Sequence, residues 1–293
     1  MPGHSRAFLF MTDSFEDNLT IILEDNQSGS VTILDKVIVL IKKLADSDIN
    51  NSDLKSRLSR VKAGVLSTFP HFKVSDHYLT HLTAMINSGE GNIDLSESIK
   101  DFNHSYLLEW KDCNERIAIN FTSMIDLEGR TVLVHSNSSV VVAVFKEYAK
   151  VGLNVSVLQT EARPAFEGRI QAGRIAELGF EVSIIADAAL ARIIDTVDLI
   201  FFGSDGIFSD AFVNKIGTHM ISVMSDLNNK PVYLLADSRK IVNHPAPKIF
   251  FEEPKPPEMI WDNPRLNVTP LNYYFELTPR SLIRRIFTEN SGF

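Results

Sequence analysis

Cysteine is almost absent: the 293 residues hold a single one, Cys113. It allows no intrachain disulfide and no cysteine metal cluster, and a lone free cysteine reads as core filler. Long hydrophobic runs are missing as well. None approaches the ~18 apolar residues of a membrane span. The brief AFLFM after Arg6 is too short for a signal-peptide core, so a cytoplasmic protein with no membrane partner is expected. Basic residues are in the minority, 29 against 37 acidic, for a net charge of −8. That disfavours direct nucleic-acid binding while leaving room for a local basic site. No GxGxxG and no Walker A loop occurs, so neither a dinucleotide nor a P-loop triphosphate is supported, and no cofactor is expected. No histidine set reads as zinc ligands. His104, His135, His219 and His244 stand apart, each read as satisfied or solvated, and no metal site is expected.

What remains is an ordinary globular composition, 44% apolar and 23% charged. It is long enough to bury a proper core as one large domain or two smaller ones. The first part is helical in pattern. Val31–Ala45 places Ile33, Leu34, Val37, Ile38, Ile41 and Leu44 on one stripe at helical spacing. Helical patterns follow at Ser52–Leu66, at Asp76–Ile86 and from Ile93 onward, where one long helix is expected to run to about Met124. Residues 1–30 are mixed and polar, and Ser88-Gly89-Glu90-Gly91 reads as a turn. The expected organisation is a helical N-terminal domain over residues 1–120 and a second domain over 121–293.

In the second part, short β-branched runs alternate with helical segments, the signature of a parallel sheet. The runs are Thr131–Val134, Val155–Gln159, Val182–Ile185, Leu199–Phe202 and Val232–Leu235. Each ends in a polar cluster: His135–Ser139, Thr160–Pro164, Asp187, Gly203–Gly206 and Asp237–Lys240. Parallel connections bring all these ends to one edge, where open α/β sheets bind ligands. The fold class expected is α/β, with a helical N-terminal domain followed by a Rossmann-like parallel-sheet domain.

The groups at that edge suit a phosphorylated small molecule. Ser136, Asn137 and Ser138 open a helix over Val140–Val151, offering hydroxyls and free N–H groups to a phosphate. Asn214 and Lys215 are expected to start another helix and add a positive charge. Arg163 and Lys240 supply further oxygen-binding groups, and Asp205 is the carboxylate placed for proton transfer. Taken singly, Ser138 or Ser139 reads more readily as an N-cap and Lys215 as a solvated side chain; the convergence makes the site. The proline-rich His244–Pro257 reads as a loop. Thr278–Thr288 reads as a helix with Thr278 as N-cap and Pro279 in its first turn.

Val132–Ser139, Thr160–Gly168, GSDGI at Gly203–Ile207, NKIGT at Asn214–Thr218, NVTP at Asn267–Pro270 and the following TPRSLIRRIFTE together resemble one family. It comprises the alpha, beta and delta subunits of translation initiation factor 2B and the methylthioribose-1-phosphate and ribose-1,5-bisphosphate isomerases. The resemblance covers about residues 90–293 and implies a Rossmann-like domain without dinucleotide, and dimerisation through it. In the isomerase branch a cysteine and an aspartate shuttle protons between C1 and C2 of an opened sugar phosphate. The aspartate falls on Asp205; the cysteine falls on Ser136, whose hydroxyl is a far weaker base than a thiolate. Asn214, Lys215 and Lys240 match the branch's substrate-binding positions. An Arg-Gly pair that helps hold phosphate there reads Gln27-Ser28-Gly29-Ser30 here, leaving Ser28 and Gly29 at that place.

Two functions are therefore expected as alternatives. One is a regulatory or non-catalytic relative of the initiation-factor subunits that binds a phosphorylated sugar or nucleotide. The other is an aldose–ketose isomerase of a sugar 1-phosphate. A homodimer or higher homo-oligomer, with related subunits as further partners, accompanies either.

Overall fold

The apolar stripe of Val31–Ala45 is realised as a helix whose stripe residues Ile33, Leu34, Val37, Ile38, Ile41 and Leu44 are all buried. The computed structural model describes residues 12–25, 28–88, 94–248, 250 and 255–292. The chain divides into two compact units, Met1–Lys111 and Asp112–Phe293. The N-terminal segment before residue 12, Gln27, the glycine turn after Ser88 and part of the His244–Pro257 loop lie outside the described residues.

The first unit is helical: α1 Phe15–Leu23, α2 Ser30–Ala45, α3 Asn51–Thr68, α4 Lys73–Ser88 and α5 Leu95–Trp110. The polar reading of residues 1–30 passes over α1, which Ser14 caps by accepting from the Asp17 N–H at 3.3 Å. Asn50 caps α3 through Asp53, and Asp94 caps α5 through Ser96 and Glu97. On α4, His77 and His81 stand one turn apart and stack with centroids 4.0 Å apart. The single long helix expected to run to Met124 is instead two. Asp112 leaves helical dihedrals (φ −108, ψ 25), and a new helix, α6, begins at Cys113 and ends at Thr122. Aspartate disfavours helix interiors because its side chain competes for nearby backbone groups.

The second unit holds α6 and then alternates: β1 Thr131–Val134, α7 Ser139–Val151, β2 Ser156–Thr160, α8 Glu167–Ala176, β3 Glu181–Ile185, the single turn α9 Leu190–Ile193 and β4 Leu199–Gly203. It continues with β5 Gly206–Ile207, β6 Ala211–Lys215, α10 Thr218–Leu227, β7 Val232–Leu235, β8 Phe275–Pro279, β9 Arg285–Thr288 and β10 Ser291–Gly292. The main sheet has the order β10-β9-β7-β4-β1-β2-β3. All its pairings are parallel except β9 with β10. The α/β, Rossmann-like expectation holds, and β1, β4 and β7 are buried nearly throughout, as parallel strands covered on both faces are.

Two expected helices are corrected. Asn214 and Lys215 end strand β6 of a second, antiparallel sheet ordered β5-β6-β8; the helix begins only at Thr218. Thr278–Thr288 is not one helix: a single 3-10 turn, Arg280–Leu282, separates two strands. Thr278 pairs with Phe212 across that small sheet, Pro279 takes extended dihedrals (ψ 132), and Arg285–Phe287 pair with β7. The apolar residues Ile283, Ile286 and Phe287 stand at helical spacing (i, i+3, i+4) rather than at the two-residue period of a strand. Burying Phe287 against Phe121 and Tyr233, a gain of about 2–3 kcal/mol, settles them as strand.

Candidate functional site

β1 is central in the sheet. From it the chain moves outward to β2 and β3, then returns across to β4 and β7. The order reverses between β1 and β4, and at such a switch point the loops after the two strands part and leave a crevice at their C-terminal ends. Those loops are His135–Ser138 and Gly203–Asp205.

His135 anchors the first loop. It is buried; its Nε2 meets the Ile216 carbonyl at 2.9 Å and its Nδ1 meets the Thr160 hydroxyl. A carbonyl only accepts, so Nε2 carries the proton and Thr160 donates to Nδ1. Burial lowers the His135 pKa and keeps the ring neutral, against the opposing pull of Asp187. This one ring joins the ends of β1, β2 and β6. Ser136 follows with φ 64, and its hydroxyl donates to Glu167 Oε1 at 2.9 Å. Asn137 accepts from Arg174 at 3.2 Å. Ser138 occupies the N-cap position of α7 without a side-chain cap bond, and its N–H donates to Gln171 Oε1 at 2.7 Å. Gln171 in turn donates to Gln159, whose amide donates to the carbonyls of Ser136 and Thr160. These two buried glutamines fix the loop from below.

On the other bank, Ser204 Oγ lies 3.1 Å from the Gly206 carbonyl and 2.9 Å from that of Val213, and the Asp205 N–H donates to the Val213 carbonyl at 3.0 Å. Asp205 therefore sits half-buried at the bend where β4 passes into the small sheet. That sheet carries Asn214 and Lys215. Asn214 donates to Thr218 Oγ1 at 3.0 Å. Lys215, 2% exposed, reaches Glu167 Oε2 at 2.8 Å and lies over the Tyr274 ring at 4.4 Å. Lys240 is buried and donates to the Ser204 carbonyl at 2.7 Å. Arg163 is exposed, stacked on Phe166 at 4.6 Å, and its backbone N–H is held by Asp187 at 2.8 Å. Ser28 and Gly29 belong to the first unit. There Gly29 precedes α2 at its N-cap position, the Ser28 N–H donates to Asp25 at 2.9 Å, and Lys36 pairs with Asp25.

Sequence reasoning passed over Glu167 and Glu276, and placed Asp187 at a strand end without giving it a role. Glu167 joins Ser136 to Lys215. Asp187 accepts from the N–H groups of Ala162 and Arg163. Glu276 accepts from Gly217 and His219 at 2.8 Å each, so the start of α10 already faces a carboxylate of the protein, one whose pKa burial raises. The legible signal for Glu167 is an acid in the first turn of a helix that follows a strand-end cluster. Among the described residues no three metal-ligating side chains come together, and no helix is long and apolar enough to cross a membrane.

The sequence profile of the initiation factor 2 subunit family matches residues 24–293. A ribose 1,5-bisphosphate isomerase of Archaeoglobus fulgidus is 33% identical over 174 residues, covering 55% of this chain and 53% of that protein. The translation initiation factor eIF2B subunit alpha of Dictyostelium discoideum is 32% identical over 167 residues, 50% of this chain and 52% of that one. The match thus spans about half the length of each curated relative. Among solved structures, a translation initiation factor eIF-2B of Pyrococcus horikoshii OT3 superposes with a TM-score of 0.81 at 21% identity, covering 96% of this chain and 97% of that one. At that identity the likeness establishes the fold.

Proposed function

Because the chain belongs to the initiation factor 2 subunit family, we propose that it binds a phosphorylated sugar or nucleotide at the C-terminal edge of its parallel sheet and acts as a regulatory, non-catalytic member. The observation that carries this reading is the switch-point crevice, with Ser136–Ser138 on one bank, Asp205 on the other and Lys215 and Lys240 behind. Ser136 stands where the isomerase pattern has cysteine. A hydroxyl ionises far less readily than a thiol, which removes one of the two proton-transfer groups. The protein works in the cytoplasm as a homodimer or larger homo-oligomer, with related subunits as partners. The likeness to a factor named as an eIF2B subunit supports that partnership.

A thermal-shift series with pentose 1-phosphates, bisphosphates and nucleoside monophosphates tests the ligand. Stabilisation that disappears in Asp205→Ala and Lys240→Ala is the expected result; no shift with any phosphorylated compound sinks the reading.

One observation favours a second reading, an aldose–ketose isomerase of the ribose-1,5-bisphosphate or methylthioribose-1-phosphate type with Asp205 as proton-transfer group. The Ser136 hydroxyl is bonded to a carboxylate, which gives it a proton acceptor. NMR in deuterated water separates the two. The regulatory reading expects no deuterium at C2 of an added sugar phosphate; Asp205-dependent incorporation would establish the isomerase instead.

A further inference from the structure

Lys215 resembles a phosphate clamp in sequence, yet its ammonium already has a partner. It is 2% exposed, 2.8 Å from Glu167 Oε2. The other carboxylate oxygen of Glu167 accepts the Ser136 hydroxyl at 2.9 Å. Serine has one hydroxyl proton and two lone pairs. With that proton committed to Glu167, Ser136 Oγ offers an approaching ligand only acceptor capacity. A phosphate dianion also brings only acceptors, and it would approach a carboxylate of like charge. A neutral hydroxyl brings the donor that Ser136 can accept.

We propose that Ser136, Glu167 and Lys215 form a hydroxyl-reading subsite: Glu167 takes the Ser136 proton in a hydrogen bond, Lys215 offsets the Glu167 charge, and Ser136 Oγ accepts a hydrogen bond from a sugar hydroxyl of the ligand. Two features around it fit. The loop geometry is held independently by His135 and by the Gln159–Gln171 relay, so Ser136 is preset for the task. The N-terminus of α10, next to Lys215 in the chain, is likewise answered by a protein carboxylate, Glu276. The phosphate of the ligand is therefore received elsewhere along the strand ends, and this corner selects for an intact sugar. The subsite rests on the ligand-binding reading above and deepens it.

Calorimetric titration of ribose 5-phosphate, its 2-deoxy and 3-deoxy counterparts and inorganic phosphate, into the wild type, Ser136→Ala and Glu167→Gln, tests it. The wild type should bind ribose 5-phosphate about ten-fold more tightly than at least one deoxy counterpart, the yield of one neutral hydrogen bond. Ser136→Ala should erase that preference and leave phosphate affinity unchanged. Glu167→Gln, which keeps the shape and offers Ser136 an amide donor, should reduce the preference and strengthen inorganic phosphate. A preference that survives both variants overturns the subsite, as does a Ser136→Ala variant that weakens phosphate and sugar phosphate equally. Binding with no preference in the wild type overturns the subsite alone. Absence of binding by every compound overturns the ligand-binding reading with it. Unchanged far-UV circular dichroism establishes that each variant is folded.

Discussion

A β-carbon on Gly203 would stand 2.2 Å from Ser138 Oγ and 2.8 Å from Ser138 Cβ. The end of β4 and the start of α7 therefore pass in direct contact at this point. Gly203 is needed for space: the Ser138 hydroxyl can rotate away, but its Cβ, fixed to the backbone, cannot.

Gly203→Ala should therefore push the two loops apart. Overpacking of this kind costs about 1–3 kcal/mol, which in a unit of this size lowers the melting midpoint by roughly 2–4 °C per kcal/mol. Differential scanning fluorimetry reads it directly; an unchanged midpoint would mean that the Ser138 loop yields without cost.

The Lys215–Glu167 pair makes an asymmetric prediction. Removing Glu167 strands a lysine that is 2% exposed, whereas removing Lys215 leaves a carboxylate that is 19% exposed and can be hydrated. Glu167→Ala is expected to cost about 3–5 kcal/mol, the range for breaking a buried pair. Lys215→Met should cost less, and the double variant Glu167→Gln with Lys215→Met should recover part of the loss. Urea unfolding of the three settles the order. Equal losses for the two single variants would argue that the pair is not buried.

His135 predicts a pH dependence. Its folded pKa lies below the unfolded value because burial disfavours the imidazolium, so the unfolded state binds the proton more readily. Its contribution to stability is complete above the unfolded pKa, about 6.5, and is lost as pH falls from there toward the folded pKa, at up to about 1.4 kcal/mol per pH unit. Glu276 acts in the opposite sense: its raised folded pKa makes stability rise as pH falls through its own window. Comparing wild type with His135→Gln removes the Glu276 contribution, which both share. The difference in unfolding free energy should narrow between pH 7 and pH 5; parallel profiles would show that folding leaves the His135 pKa unshifted, and a widening difference that the fold favours the imidazolium.

Cys113 should be unreactive. Burial is the main cause that pushes its thiol up to about 12, with Asp237 and Glu289 adding to it. Its sulfur lies 3.8 Å from Glu289 Oε2. Since the thiolate is the nucleophile, a disulfide reagent should label the native protein far more slowly than the urea-unfolded chain. Equal rates would place this thiol at the surface.

The legible part of the fold was the part written in local periodicity. The stripe of α2 and the β-branched runs of β1, β4 and β7 each satisfy their period within a few residues. The errors lie where strand pairing overrides the local pattern or the pattern is too short to decide. Ile283, Ile286 and Phe287 have spacings that fit a helix, yet the exposed edge of β7 offered ladder partners. Asn214 and Lys215 follow an apolar pair, Phe212 and Val213, too short to separate a strand from a helix start.

The sequence by itself determined that parallel strands end in polar clusters on one edge, because strand period and turn residues are local and the crossover rule does the rest. Only the tertiary structure decided what those clusters do to one another. Glu167 meets Ser136 across 31 positions and Lys215 across 48, separations at which no local period carries information. The fold of the second unit brings them together, so the Lys215 ammonium, expected at the ligand edge, pairs with a carboxylate of the chain itself.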